Sequence, residues 1–68
     1  MKIQRIEVEN ALIEFSVDEL SILNNALNEV CHALDKAEFS TRMGAELKDV
    51  EGLLHQINKL LHAVRRAK

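Results

Sequence analysis

Phe39-Ser-Thr-Arg-Met-Gly-Ala-Glu-Leu-Lys-Asp-Val-Glu-Gly-Leu53 is the stretch that decides the fold of this 68-residue chain. Gly44 is the residue type that most often ends a helix in the left-handed conformation. Glu46 suits a helix start, where a negative charge meets the positive end of the helix dipole. The apolar residues on both sides of Gly44 recur at helical spacing. The stretch therefore predicts a short helix over residues 38–43, a tight turn, and a final helix over residues 46–66.

The apolar positions of this corner resemble a helix-turn-helix motif, but its charges do not fit a DNA reader. The resemblance depends on Phe39, Met43, Gly44, Ala45, Leu47, Val50 and Leu53. Base readers usually carry Arg, Lys, Asn or Gln at the front of the second helix, whereas that segment here is mainly acidic. A dimeric DNA-binding regulator is therefore the alternative rather than the first hypothesis. It would need its cations to converge on one surface: Arg42, Lys48, Lys59, Arg65 and Arg66.

Residues 3–16 predict a β-hairpin that turns near Asn10. The predicted cross-strand pairs are Val8–Ala11, Ile6–Ile13, Arg5–Glu14 and Gln4–Phe15. This register gathers apolar residues on one face and places an opposite-charge pair on the other. Either a two-residue turn or a four-residue loop fits it. Because a lone hairpin is barely stable in water, we expect this one to lie on helices or to join a second hairpin.

A long helix is predicted over residues 17–34. Ser16 and Glu19 fit a capping box at its start. Its apolar side chains recur at alternating steps of three and four residues: Leu20, Leu23, Leu27, Val30 and Leu34. In the later helices, Glu38 and Arg42 are spaced to form an ion pair. Gly52 is a weak point in the last helix, and a close backbone crossing would explain it.

Together these elements predict one small, mainly helical α+β domain over residues 1–68, ordered as hairpin, long helix, short helix and long C-terminal helix. So short a chain buries only a modest core, and Cys31 has no partner for a disulfide. We therefore expect a homo-oligomer, either a homodimer or a higher assembly. Its predicted contacts on the last helix are Val50, Leu54, Ile57, Leu61 and Val64. The alternatives are that this stripe is intramolecular core throughout, or that hairpin edges associate.

The residue types that carry chemistry do not assemble into an enzyme site. His55 and His62 lie two turns apart on a helix, about 10 Å, which is too far for one metal ion. Glu51 and His55 are spaced as two metal ligands without an assured third. Cys31 falls on an apolar stripe with no adjacent base, so we expect an inert, buried thiol. The sequence predicts no catalytic residue, no cofactor and no metal.

Three asparagines cluster in the long helix. Asn25 points away from the leucine stripe, and Asn24 and Asn28 flank it. We expect Asn24 to satisfy backbone groups of the hairpin or a loop. Two roles are open for Asn28: it satisfies backbone groups in the same way, or it belongs to a polar strip that recognises a partner protein.

Charge and composition favour a protein partner. The formal net charge is −2, from 9 basic and 11 acidic residues, which is not the balance of a nucleic-acid binder. No apolar run reaches membrane-spanning length, and the start lacks the apolar segment of a signal peptide, so we expect a cytoplasmic protein. The predicted function is non-catalytic binding of a basic protein, as in immunity proteins, antitoxins and adaptors. The predicted partner-facing residues are Glu38, Arg42, Glu46, Asp49 and Glu51.

Several short segments resemble a group of small bacterial proteins of unknown function. They are Asp18-Glu19-Leu20, the stretch Leu-Asn-Asn-Ala-Leu-Asn-Glu-Val at 23–30, Glu38-Phe39, and Thr-Arg-Met-Gly at 41–44. The resemblance covers most of the chain after the hairpin. It implies a bacterial origin and a stand-alone small protein. It brings no assigned chemistry, so no functional residue is transferred.

Overall fold

The structure is a computed structural model, and it describes residues 1–67. Its elements are β1 (Lys2–Ile6), β2 (Ala11–Glu14), α1 (Val17–Ala33), α2 (Lys36–Met43) and α3 (Leu47–Arg66). The mainly helical α+β fold predicted from the sequence is confirmed, and the ends of the three helices lie within two residues of the predicted ones. None of these helices is long and apolar enough to cross a membrane, over the residues that the structure describes.

Reciprocal side-chain bonds fix the start of α1. The Ser16 hydroxyl accepts a hydrogen bond from the Glu19 backbone N–H at 3.1 Å. The Glu19 carboxylate accepts one from the Ser16 backbone N–H at 2.9 Å. The predicted capping box is confirmed. It supplies partners for backbone donors that have none within the helix.

The corner between α2 and α3 is built around Gly44. The Asp35 carboxylate caps α2 by accepting from the Ala37 N–H at 3.2 Å. At the other end Gly44 has a φ of 71°, in the left-handed region, and its N–H donates to the Ser40 carbonyl at 2.8 Å. The predicted C-cap is confirmed. Glu46 is the N-cap of α3, without a side-chain cap bond.

The helices α1 and α3 pack antiparallel and form a single layer. Arg65, near the end of α3, donates to the Ser21 hydroxyl near the start of α1 at 3.1 Å. The buried side chains are few: Leu20, Phe39, Val50 and Leu61. The molecule is only 15 Å thick in its thinnest direction. Over residues 1–67 the only helix that packs on the α1–α3 pair is the short α2, and it packs on α3 alone, so no second layer completes a core in this part of the chain.

The strands pair in a register that differs from the predicted one. They are antiparallel, with Ile3 opposite Ile13 and Ile6 opposite Ala11. The predicted pairs Val8–Ala11, Ile6–Ile13, Arg5–Glu14 and Gln4–Phe15 are therefore wrong. Residues 7–10 form a four-residue loop, closed by a bond from the Glu7 N–H to the Asn10 carbonyl at 2.8 Å.

A β-bulge is the physical reason for this difference. The register shifts between Ile3 and Arg5, so Gln4 is an extra residue in β1. A bulge resets the alternation of side chains along a strand. Ile3 and Ile6 thereby share one face, although strict alternation would separate them.

The hairpin is attached to the helices only at its root. Every residue of both strands is exposed, and within residues 1–67 neither strand packs on a helix. The Met1 ammonium forms an ion pair with the Glu19 carboxylate. Beside it lies an apolar cavity of about 220 Å³, lined by Met1, Phe15, Glu19, Ile22 and Leu23. The expectation that the hairpin lies on helices is wrong, which leaves a second hairpin as the partner predicted from the sequence.

Gly52 does not mark a close backbone crossing. Its position on α3 is exposed, and a Cβ added there would meet nothing within 4 Å. The predicted reason for this glycine is therefore wrong. No contact within the protomer requires it.

Candidate functional site

The predicted partner-facing residues are all exposed, but they do not form one surface. The set is Glu38, Arg42, Glu46, Asp49 and Glu51. The Arg42 guanidinium pairs with the Glu38 carboxylate at 3.3 Å, so these two charges largely offset each other. Glu46 and Asp49 lie in the first turn of α3, where the Glu46 carbonyl accepts from the Asp49 N–H at 3.0 Å. Among the residues described, neither of these two carboxylates is in an ion pair.

Glu51 lies on a different side of α3. Each residue of a helix is displaced by about 100° from the last, so two residues separate Asp49 from Glu51 by about 200°. Glu51 instead lines a groove between α3 and α1. The predicted acidic strip is thus divided. Glu46 and Asp49 are carboxylates at the corner that form no ion pair among the described residues, and Glu51 lies in the groove.

The groove between α1 and α3 is polar and open. It has a volume of about 330 Å³ and is lined by Asn24, Asn28, Glu51, Leu54, His55 and Asn58. The Asn58 side-chain N–H donates to the Asn24 side-chain oxygen at 3.3 Å, and this pair is partly buried. The prediction that Asn24 serves backbone groups of the hairpin or a loop is wrong.

Asn58 was not singled out by its sequence pattern. Its only signal is that it lies seven residues after Glu51, on the same flank of α3. Asn28 has an exposed side chain at the rim of the groove. Its backbone carbonyl accepts from His32 Nδ1 at 2.7 Å. This hydrogen bond holds the His32 side chain against the preceding turn of α1.

Cys31, which is near Glu51 of the groove, is not an activated nucleophile. Cys31 is half-buried. Burial raises the pKa of its thiol, and the negative charge of Glu51 raises this pKa further. A thiol that stays protonated is a poor nucleophile. In residues 1–67 there is also no group of three His, Cys, Asp or Glu side chains placed to hold a metal ion. The groove can offer amide, carboxylate and imidazole groups for hydrogen bonding.

The cations that a DNA reader would need are spread over the protomer. Arg42 is paired with Glu38 on α2, and Arg65 donates to Ser21 on α1. The remaining three lie on the outer side of α3, because their separations of eleven and seven residues are near whole numbers of helical turns: Lys48, Lys59 and Arg66. The five side chains therefore do not converge within one protomer.

An apolar surface lies on the side of the helix pair opposite the groove. Around α3, Leu53 and Leu60 lie to one side of the buried Val50 and Leu61, whereas Asn58 lies to the other. Leu53 and Leu60 are each 49% exposed. Val50 and Leu61, both predicted for self-association, are buried in the protomer's own core. The helix α1 covers the inner part of the apolar stripe on α3 and leaves its outer part open.

Three surfaces can therefore take part in binding: the acids of the corner, the polar groove and the apolar side of the helix layer. The chain matches no protein-family model, no curated protein and no solved structure. Its resemblance to small bacterial proteins stays a prediction.

Proposed function

We propose that this chain is a non-catalytic protein-binding module that acts as a homodimer and presents acidic corners to a basic partner. One observation carries the proposal: the helices form a single layer, 15 Å thick, with an uncovered apolar side. Stable domains pack at least two layers of secondary structure around a core. A second copy of the chain supplies the missing layer.

The exposed area of the protomer supports a second copy as the occupant. Its accessible surface is 5626 Å². A compact monomer of 7.7 kDa is expected to expose roughly 4,300 Å². The excess of roughly 1,300 Å² is more than the ~800 Å² that each partner buries in a standard protein interface. The radius of gyration, 13.6 Å, likewise exceeds the value of about 11 Å for a compact chain of this length.

The apolar side of α3 has the spacing of a helix–helix seam. Leu53, Ile57, Leu60 and Val64 follow one another at steps of four, three and four residues. Ile57 and Val64 are half-buried and lie between the two exposed leucines and the buried core side of α3. This is the periodicity that lets side chains of one helix enter the spaces of another. In the proposed dimer these residues replace Val50 and Leu61 as the contacts between copies.

The corner acids are proposed to recognise the partner protein. Glu46 and Asp49 are exposed at the start of α3. Complementary charge speeds encounter and excludes partners of like charge, so these residues favour a basic protein surface. A dimer presents this pair twice. Immunity proteins, antitoxins and adaptors work in this way without chemistry of their own, and we place this chain in that class, working in the cytoplasm.

Sedimentation equilibrium tests the dimer. We expect the wild type to sediment at twice its chain mass, and Leu53→Lys and Leu60→Lys to sediment as monomers with their helical circular dichroism retained. Val8→Lys is the matched control, because Val8 is 101% exposed in the hairpin loop. A wild type that stays monomeric at high micromolar concentration overturns the proposal.

Affinity capture from bacterial lysate tests the acidic corner. Wild type and the double variant Glu46→Lys/Asp49→Lys are used as baits, with Glu51→Lys in the groove as the control. We expect basic proteins that the wild type and the groove variant retain and the corner variant loses. Loss with the groove variant alone places recognition in the groove, and loss with both variants means that overall negative charge rather than the corner governs capture. Salt-sensitive binding to random duplex DNA by the wild type supports the regulator hypothesis instead.

A further inference from the structure

The hairpin has two edges, and they differ in how well they are protected against pairing. Exposed strand edges are templates for other strands, and proteins block them with bulges and charged side chains. β1 has both devices, since it is bulged at Gln4 and carries Lys2 and Arg5. β2, the segment Ala-Leu-Ile-Glu at 11–14, has no register shift. The edge of β2 is therefore open to a further strand.

One face of the hairpin is apolar and uncovered. The bulge and the pairing place Ile3, Ile6, Ala11 and Ile13 on this face. The three isoleucines are 57%, 75% and 39% exposed, in that order along the chain. The opposite face is mixed: it carries Leu12 beside the charged Lys2, Arg5 and Glu14, and the Gln4 amide donates to the Glu14 carboxylate at 2.9 Å. A two-stranded sheet with an open apolar face is not stable alone.

We propose that β2 pairs antiparallel with β2 of a second copy, so that two hairpins form one four-stranded sheet. This inference rests on the proposed homodimer and names one of its seams. The two bulged β1 strands then form the outer edges, and the apolar faces of both hairpins join into one surface.

Symmetry limits the seam to two registers. A two-fold axis perpendicular to the sheet keeps each face on its own side, so an isologous contact pairs a residue with its own copy. Within β2 the residues that can lie on the axis are Leu12 and Ile13. Either residue then stands about 4.5–5.5 Å, Cα to Cα, from its counterpart. This separation is within the range that a disulfide bridges.

The root of each hairpin is consistent with a dimer that uses both seams. Leu23 contributes to the cavity beside Met1 and Phe15. It also lies on the side of α1 away from Asn24, which marks the polar groove. The hairpin therefore starts from the side of the layer that the second copy is proposed to cover.

Disulfide crosslinking tests the pairing. Leu12→Cys and Ile13→Cys are made separately in full-length chains that carry Cys31→Ser, and oxidised with a glutathione buffer at a concentration where the wild type is dimeric. Pairing raises the effective concentration of the two thiols, so we expect one of these variants to form a linked dimer at least ~tenfold faster than Val8→Cys in the loop. Gln4→Cys, at the bulge of β1, is the matched edge control and should crosslink as slowly as Val8→Cys.

The outcomes separate this inference from the homodimer itself. Fast crosslinking at Gln4→Cys with slow crosslinking at both β2 positions overturns the inference, and so does slow crosslinking at all positions in a dimeric protein. In both cases the homodimer stands. A monomeric wild type overturns both proposals. Hydrogen exchange gives a second readout without substitutions, since the β2 amides should gain protection as the protein concentration rises and the β1 outer edge should not.

Discussion

The Asn58 side-chain amide donates a hydrogen bond to the Asn24 side-chain oxygen across the contact between α1 and α3. The bond spans 34 residues of sequence and joins two partly buried groups. A shift of one helix along the other would leave both amides without this partner. Polar pairs of this kind discriminate among alignments that apolar contacts alone tolerate. The pair therefore fixes how the two long helices are aligned.

We predict strong coupling between these two asparagines. Asn24→Leu or Asn58→Leu alone removes this bond and leaves the other amide at the open groove, and should lower the free energy of unfolding by about 0.5–1.5 kcal/mol. The double variant should lose less than the sum, because no unpaired amide remains. Urea unfolding of the four proteins measures the coupling. Ser21→Ala, which removes an exposed bond to Arg65, serves as the control. Strictly additive losses would contradict the assigned role.

Local chemistry made most of the helical architecture predictable. Ser16 and Glu19 are close in sequence and hydrogen-bond to each other's backbone N–H groups, so four consecutive residues determine where α1 begins. Gly44 takes the left-handed conformation that few other residues accept. The ion pair of Glu38 with Arg42 was predictable for the same reason, because the two residues lie one helical turn apart. Such features do not depend on the rest of the fold.

Features that join distant segments were beyond the sequence pattern. The extra residue Gln4 in β1 shifts the pairing, and no side-chain periodicity marks it. The partner of Asn24 is Asn58, whose spacing is that of an ordinary flanking residue. Helix geometry alone separates Asp49 from Glu51, but the place of Glu51 in the groove depends on which side of α3 meets α1. The fold class was therefore predictable, and the composition of the candidate surfaces was not.

Gly52→Ala is predicted to stabilise the protein. A Cβ at Gly52 meets nothing within 4 Å, and alanine in a helix interior is favoured over glycine by up to ~1 kcal/mol. The midpoint of thermal unfolding should rise. Gly44→Ala is the opposed control, since a φ of +71° strains any side chain, and its midpoint should fall. If Gly52→Ala weakens association without lowering the stability of the protomer, this glycine serves the interface instead.

The ion pair between the Met1 ammonium and the Glu19 carboxylate should make the free energy of unfolding depend on pH in the acid range. The Met1 ammonium is the first cause that lowers the pKa of Glu19, and the Ser16 backbone N–H is the second. Because this pKa is lower in the folded protein, the contribution is present above the ordinary carboxyl range, near pH ~4.3, and is lost as pH falls through the folded value. Glu19→Gln keeps the capping geometry and removes the charge.

We therefore expect wild type and Glu19→Gln to differ in unfolding free energy at pH 7 and to converge as the pH falls below the ordinary carboxyl range and through the lowered pKa of Glu19. Urea unfolding at a series of pH values measures the difference. Asp18→Asn controls for a general loss of negative charge at the start of α1, because no ion pair with Asp18 occurs among the described residues. A difference that persists unchanged at pH 3 would show that the charge of Glu19 is not its source.

The thiol of Cys31 should report on the charge in the polar groove. Burial is the main cause that raises its pKa, and the nearby Glu51 carboxylate is the second. The folded protein should therefore react with iodoacetamide more slowly near neutral pH than the chain in urea, because less thiolate is present. Glu51→Gln removes the second cause only. It should shift the pH profile of alkylation modestly to lower pH and leave the reaction slower than in urea. Glu29→Gln, on the exposed side of α1, should leave the profile in place. A profile that moves equally in both variants would mean that overall charge, rather than the position of Glu51 beside Cys31, governs the thiol.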